Sequence, residues 1–183
     1  MAISLAIASL NATPQTREAS LTTAWCAERL AGVYEAASPT LAIAIVASRH
    51  AEVVEAHVRV QGKFRCACSR CAEPVELTVD TEFDHHFVGP GQLDASGELD
   101  VDGMALDADP DVSEHDGARI ELEELCIEHA ILALPDVPLC DEDCKGLCPR
   151  CGINRNQETC SCDLSEERSS PWAKLAQLRV VKD

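Results

Sequence analysis

Three stretches of the chain have the two-residue hydrophobic period of β-strands. Residues 54–61 alternate between apolar residues and charged or polar ones, and residues 75–83 do the same apart from Thr81, which predicts strands with one buried face. In residues 41–46 the intervening positions are also apolar, so we expect a strand buried on both faces or nearly so. These consecutive strands predict a small antiparallel sheet, with the segment 66–71 at the tip of a hairpin.

Three further stretches have the spacing of helices. Ser20 is a suitable N-cap for a helix that runs to about Ala36. Residues 120–134 predict a short strand followed by a helix that Pro135 ends. Residues 171–181 predict a short amphipathic helix near the C-terminus.

The chain is strongly acidic, because its 183 residues include 32 acids and 15 bases, for a formal net charge of −17. This excludes a simple polycationic nucleic-acid binder, since phosphate contacts need lysine and arginine, but it leaves room for a local basic patch. Residues 94–128 hold 13 of the acids and a single base, Arg119. We expect residues 89–117 to form a solvated acidic loop, which is a solubilising linker, a repellent face or a mimic of nucleic acid.

Eleven cysteines are the strongest chemical signal, and nine of them fall in two dense groups, residues 66–71 and 140–162. Disulfide frameworks spread cysteines along small secreted chains, whereas dense pairs are typical of metal ligands. No basic region precedes the apolar stretch at the N-terminus, which argues against a signal peptide, and no apolar run is long enough to span a membrane. We therefore expect a cytoplasmic protein. The other two cysteines, Cys26 and Cys126, are interpreted as buried apolar residues.

The C-terminal cysteine group predicts a zinc site. Cys148 and Cys151 form a Cys-x-x-Cys turn, and the glycine after it permits the left-handed conformation that closes such a turn. Cys160 and Cys162 follow and supply the other two corners of a tetrahedron. Residues 139–163 have no hydrophobic period, so we expect this segment to need a metal to fold. Free or partly disulfide-bonded thiols are the alternative.

A second zinc site is predicted to join the hairpin to the C-terminal segment. Cys68 and Cys71 complete no site alone, and Cys140 and Cys144 are the obvious partners. Cys66 adds an alternative chelating pair with Cys68, and other partitions of the thiols stay open, so one or two zinc ions are expected. A redox role for Cys68 and Cys71 is a further alternative, although reactive pairs usually open a helix.

Basic residues cluster near both cysteine groups. Residues 58–72 contain four bases and no acid, and three more bases, one of them Arg155, lie within the C-terminal group. If zinc joins the two regions, these side chains share a face that is suited to RNA. The alternative is that they balance thiolate charge and strand edges. The candidate RNA contacts are Arg59, Lys63, Arg65, Arg70, Lys145 and Arg150.

The order of these motifs is specific. Cys-Ser-Arg-Cys at 68–71 precedes Glu-Pro-Val, and residues 139–152 read Leu-Cys-Asp-Glu-Asp-Cys-Lys-Gly-Leu-Cys-Pro-Arg-Cys-Gly. Between them lies the helical segment 120–135, and Pro-Trp-Ala-Lys-Leu at 171–175 closes the chain. Over roughly residues 40–180 the chain resembles the YceD family of large ribosomal RNA subunit accumulation proteins.

This resemblance implies a cytoplasmic bacterial protein that supports the synthesis, processing or stability of large-subunit (23S) ribosomal RNA and is not an enzyme. The expected partner is ribosomal RNA or a pre-ribosomal particle, with no membrane and no small-molecule substrate. Zinc would be structural, because four thiolates leave no open coordination position. Two alternatives stay open: an adaptor whose acidic loop binds a basic ribosomal protein, and a thiol–disulfide redox protein that uses Cys68 and Cys71.

Together, these patterns predict an α+β fold, with a small antiparallel β-sheet, flanking helices and a C-terminal Cys-rich zinc-binding module. Residues 1–38 are expected to form an N-terminal segment with a helix. Residues 39–138 form the YceD-like core with the acidic loop, residues 139–163 the zinc module, and residues 164–183 a tail.

Overall fold

The computed structural model describes residues 3–30, 32–93 and 111–162. Two long, adjacent strands form a hairpin at the centre of the main sheet, and shorter strands and two helices pack around them. The strands are β1 Ser4–Ala6, β2 Gln15–Thr22, β3 Tyr34–Ala36, β4 Thr40–His50, β5 Val53–Ala67, β6 Pro74–Val88, β7 Val112–Glu114 and β8 Arg119–Glu121. The helices are α1 Cys26–Arg29 and α2 Glu123–Leu132, and a 3-10 turn covers Ile7–Ser9.

The main sheet has six strands in the order β2-β4-β5-β6-β7, with β3 paired to the end of β5. All of its pairs are antiparallel except β6 with β7, which are parallel, and β1 and β8 form a separate two-stranded sheet. The protein is therefore mostly β, with a mixed sheet and two short helices. The predicted antiparallel strands β4, β5 and β6 are present, but the α+β description overstated the helices.

The strand predicted to be buried on both faces is β4, and only one of its faces is buried. Leu41, Ile43 and Ile45 are at most 2% exposed, whereas Ala42 and Ala44 between them are exposed. The buried side chains of β5 and β6 continue this apolar face, and α2 packs against the same two strands. Because alanine reads as apolar in sequence, the solvent-facing side of β4 was misassigned.

The helix predicted from Ser20 to Ala36 is wrong. β2 includes its first residues, α1 is only four residues long, and the chain reverses at Gly32, whose φ is +80°. β3 then pairs with the end of β5. Eight residues of β2 pair with β4, and this strand pairing outweighs the helical spacing of the sequence.

The strand and helix predicted for residues 120–134 are confirmed as β8 and α2. Cys126 on α2 and Cys26 on α1 are both buried, as expected of small apolar residues. The ring of His129 stacks on Phe83 of β6, with centroids 3.7 Å apart. This contact holds the helix against the sheet, so α2 serves as a cover for the apolar face.

The segment predicted as a solvated acidic loop is not wholly a loop. Residues 112–114 form β7, and His85 Nε2 hydrogen-bonds with Ser113 Oγ at 2.9 Å. Residues 94–110 of that prediction, and the C-terminal helix predicted for residues 171–181, lie outside the described residues. The boundaries predicted at residues 38, 138 and 163 stay predictions. Within the described ranges, neither helix is long and apolar enough to cross a membrane.

Candidate metal centres

The hairpin tip lies between β5 and β6, where the sequence placed it. The Cys68 amide donates to the carbonyl of Glu73 at 2.8 Å, and the Ala72 amide donates to the carbonyl of Cys68 at 2.9 Å. Ala72 has a φ of +61°, which lets the chain reverse within a few residues. This turn brings the sulfurs of Cys68 and Cys71 to one side of the tip.

The C-terminal segment binds to this tip through backbone hydrogen bonds. Ser69 donates to the carbonyl of Pro138 at 2.8 Å, and Leu147 donates to the carbonyl of Arg70 at 2.9 Å. Gly146 has a φ of +71°, and a Cβ there would lie 2.9 Å from the Arg70 oxygen. Only glycine therefore allows the two segments to approach this closely.

Four cysteines meet at this junction, and we call them the hairpin cluster. They are Cys68 and Cys71 from the tip and Cys140 and Cys144 from the C-terminal segment. Their sulfurs all lie within 4.8 Å of one another. The Cys68 and Cys144 sulfurs are 3.8 Å apart, and those of Cys71 and Cys140 are 3.5 Å apart. A tetrahedral zinc centre with Zn–S bonds of about 2.3 Å separates its sulfurs by about 3.8 Å, so the arrangement fits such an ion.

Nitrogen donors surround the hairpin cluster. The Arg70 amide donates to Cys68 Sγ at 3.4 Å, and Asn156 Nδ2 donates to Cys144 Sγ at 3.2 Å. Such N–H groups stabilise thiolates and orient them toward a metal. Sequence reasoning missed Asn156 and Gly146. Asn156 follows Asn154 in an amide-rich stretch, but nothing in the spacing shows that one amide points at a sulfur.

The second group, which we call the C-terminal cluster, consists of Cys148, Cys151, Cys160 and Cys162. Their sulfurs also lie within 4.8 Å of one another. The Gly152 amide donates to the carbonyl of Cys148 at 2.9 Å, which closes the Cys-x-x-Cys turn. All four cysteines of this cluster lie in one short segment, whereas those of the hairpin cluster come from distant parts of the chain.

The thiols of each cluster differ in acidity. Hydrogen bonds from the backbone amides of Cys151 and Arg150 lower the pKa of Cys148 to about 6. Burial opposes ionisation of Cys68, but backbone amides around it still lower its pKa to about 6. Hydrogen bonds with neighbouring thiols raise the pKa of Cys140 to about 12. A metal ion must therefore displace protons from some thiols in each cluster, so metal affinity falls as the pH is lowered.

Cys66 lies outside both clusters. It is buried on β5, and burial raises the pKa of its thiol. Burial likewise raises the pKa of Cys126 to about 12. The folded chain groups Cys68 with Cys71, Cys140 and Cys144 rather than with Cys66. Assignment of the eight clustered cysteines as zinc ligands stays a prediction about an ion, but their grouping into fours is a feature of the structure.

Three of the six candidate RNA contacts lie on the exposed face of β5, opposite carboxylates of β6. Arg59 bonds both oxygens of Asp80 at 2.7 Å, and Lys63 Nζ lies 3.0 Å from Glu76 Oε1. The third, Arg65, is directly opposite Glu76 in the strand register. The basic patch expected from the bases of β5 alone did not take account of the acids that the paired strand β6 places beside them. Pairing of the two strands sets four exposed acids of β6 against these three bases, so this face is not basic.

The other three candidates lie at the junction with the C-terminal segment. Arg70 Nη1 donates to the carbonyls of Glu142 and Cys144, both at 3.0 Å, so its guanidinium holds the two segments together. Lys145 and Arg150 are exposed. The structure thus places these three apart from the ion-paired face of β5, and contact with RNA stays a prediction for all six.

The family comparison covers the part of the chain that carries both clusters. A family model described as "Large ribosomal RNA subunit accumulation protein YceD" matches residues 56–179, more than half of the chain and all eight clustered cysteines. The chain belongs to the YceD family. The resemblance noted in the sequence is thereby confirmed.

Several curated proteins are similar to this YceD chain, and all of those found are uncharacterized. Those of Mycobacterium tuberculosis strain H37Rv and Mycobacterium bovis are each 33% identical over 113 residues, covering 61% of this chain and 48% of their own. That of Mycobacterium leprae is 29% identical over 113 residues, covering 61% of this chain and 46% of its own. The chain thus spans about half the length of the curated relatives it matches. No solved structure matches it.

Proposed function

We propose that this protein is a non-enzymatic cytoplasmic factor that supports the synthesis, processing or stability of large-subunit ribosomal RNA. The supporting observation is the family match over residues 56–179, since that family is named for large ribosomal RNA subunit accumulation. The matched segment includes the hairpin tip and both cysteine clusters. The role is therefore assigned to the part of the molecule in which the hairpin cluster joins the sheet to the C-terminal segment.

We also propose that each cluster holds one zinc ion with a structural role. Four sulfur donors are a soft ligand set that suits zinc, and they close its coordination sphere to water and substrate. The Asn156 side chain and the tip amides supply the outer hydrogen bonds that such centres need. Zinc in the hairpin cluster would fasten two segments that lie 69 to 76 residues apart in sequence.

A basic ribosomal protein is a second candidate for the direct partner. Arg59 and Lys63 already form ion pairs with carboxylates of β6, so these cations are less available to bind RNA phosphates. The chain as a whole carries a net charge of −17, which favours a cationic protein surface. Crosslinking in pre-ribosomal particles separates the two candidates, because one yields adducts to protein and the other adducts to RNA.

A thiol–disulfide redox function has weaker support. Cys68 and Cys71 are each 3% exposed, and both belong to a four-sulfur cluster. An exchanging dithiol needs a thiolate that a substrate disulfide can reach. The redox alternative requires metal-free protein with turnover against a disulfide substrate.

Deletion of the gene is expected to lower the ratio of large- to small-subunit ribosomal RNA. The chain with Cys71→Ala should fail to restore the ratio, because it removes one of the four sulfurs of the hairpin cluster. The matched control is Cys66→Ala, which removes a buried thiol of the same hairpin outside both clusters and should restore the ratio. Gel or sequencing quantification of the two RNAs gives the measurement. A normal ratio in the deletion strain would disprove the proposed role.

A further inference from the structure

An apolar groove lies between the turn that follows α1 and the end of α2. It encloses about 380 Å³, and Arg29 and Asp136 flank its apolar lining. The apolar lining residues are Leu30, Val33, Tyr34, Ile131, Leu134 and Pro135. Neither cysteine cluster contributes to this groove, so it is separate from the candidate metal centres.

The groove lies in the most exposed apolar region of the described chain. Val33, one of its lining residues, is 60% exposed. Leu132, the last residue of α2, is 77% exposed and follows the lining residue Ile131, and Val137 is 60% exposed just beyond the lining residue Asp136. Apolar side chains concentrated in this way are typical of a surface that another segment covers.

The charges around the groove favour a cationic occupant. Arg29 forms an ion pair with Glu124, and Glu28 and Glu128 also act on its guanidinium. Asp136 adds another carboxylate at the lining. The acids therefore outnumber the base, and an anionic partner such as a phosphate backbone is disfavoured.

The chain itself contains a segment with the matching chemistry. Residues 171–181, which lie outside the described residues, place Trp172, Leu175 and Leu178 at intervals of three. The same segment includes Lys174 and Arg179 and no acid. It is thus both apolar and cationic in an otherwise acidic chain.

The groove is within reach of this segment. Cys162 shares its cluster with Cys148, and the adjacent Leu147 donates to Arg70 at the hairpin tip. From the tip, Ser69 donates to Pro138, which is only two residues beyond Asp136 of the groove. These contacts connect Cys162 to the groove through neighbouring residues, and the ten residues from Cys162 to Trp172 can span about 33 Å when extended.

We propose that the groove binds the C-terminal segment 171–181 of the same chain. Trp172, Leu175 and Leu178 contact the apolar lining, and Lys174 and Arg179 face the surrounding carboxylates. This contact covers Val33, the exposed apolar residue of the lining. It is independent of the proposed role in ribosomal RNA accumulation.

Fluorescence of Trp172 tests the proposal in the full chain. Trp25→Phe leaves Trp172 as the single indole, and its emission should be that of a buried ring with weak acrylamide quenching at all protein concentrations. Val33→Glu in the groove and Leu175→Glu in the segment should each shift the emission to that of exposed indole and raise quenching several-fold. Because the two substitutions disrupt the same contact between groove and segment, the emission and quenching of the double variant should equal those of either single variant.

Two variants with the same added charge serve as controls. Val46→Glu alters an exposed valine on the open face of the sheet, and Gln177→Glu alters a polar position of the segment, so both should leave Trp172 buried. An exposed Trp172 in the Trp25→Phe protein would overturn the proposal. So would a buried Trp172 that Val33→Glu does not affect, or burial lost on dilution, which would identify a second copy of the chain as the occupant.

Discussion

Removal of zinc is expected to detach residues 139–162 from the hairpin while β4, β5 and β6 stay folded. The detached segment buries little apolar surface of its own, and Cys144 and Cys148 are its two most buried cysteines. Structural zinc contributes about 10–16 kcal/mol to folding in zinc-finger peptides, far more than the few backbone hydrogen bonds at this junction. The sheet keeps its apolar face and its strand pairing without any metal.

Hydrogen exchange of reduced protein, with and without a zinc chelator, measures this effect. The amides of Leu147 and Gly152 should lose protection after chelation, whereas those of Val58 and Val60 should keep it. Cys140→Ala provides a finer comparison, because it removes one sulfur of the hairpin cluster alone. Leu147 should then lose protection while Gly152, in the C-terminal cluster, retains it. Protected amides at 139–162 in metal-free reduced protein would show that the segment folds without zinc.

Phe64→Ala is expected to lower the free energy of unfolding by about 3–5 kcal/mol. Phe64 is 0% exposed and lies opposite Ala36 of β3 and Leu77 of β6. Its ring also packs against Trp25, with centroids 6.3 Å apart. Removal of the ring leaves a cavity where the N-terminal segment meets the hairpin.

Urea denaturation of the two proteins gives the measurement, with an unchanged dependence on denaturant as evidence of the same unfolding reaction. Leu132→Ala is the control, since Leu132 is 77% exposed and alanine favours helices, so its change should stay within about 0.5 kcal/mol. A loss below about 1 kcal/mol for Phe64→Ala would mean that Trp25 and β3 do not pack on β5 as described.

The central strands and the hairpin tip could be predicted because their pattern is local. In β5 and β6, buried residues such as Val58 and Val79 alternate with exposed charged ones, and this period is visible without any partner. The strands are longer than predicted, because alternation continues through Phe64 and Cys66 toward the tip. The dense cysteines near the tip suggested metal ligands, so the residues just before them were not assigned to the strand.

The N-terminal strands could not be predicted because their partners are distant in sequence. Residues 15–22 are stabilised by pairing with β4, and residues 34–36 by pairing with the end of β5. The intervening residues do form a helical turn, α1, but Gly32 and the demands of pairing end it. β7 was missed for the same reason, since its support is a parallel pairing with β6.

The cysteine groups were foreseen from spacing, whereas the charge balance around them was not. One cysteine pair from the hairpin tip and one from the C-terminal segment suffice to suggest a shared ion, because thiolates at such spacing have few other uses. Arg59 and Lys63, by contrast, are candidate RNA contacts in the sequence, with balance of thiolate charge and strand edges as the alternative. Their carboxylate partners, Asp80 and Glu76, can be identified only when the register of the hairpin is known.

Native mass spectrometry of the intact, freshly purified protein measures its metal content and so tests whether each four-cysteine cluster holds a zinc ion. We expect the mass of the reduced chain plus two zinc ions, and the mass with one zinc ion for Cys140→Ala. A metal-free chain whose mass is lowered by pairs of hydrogen atoms would show disulfides instead. That result would contradict the assignment of the two four-cysteine clusters as zinc centres.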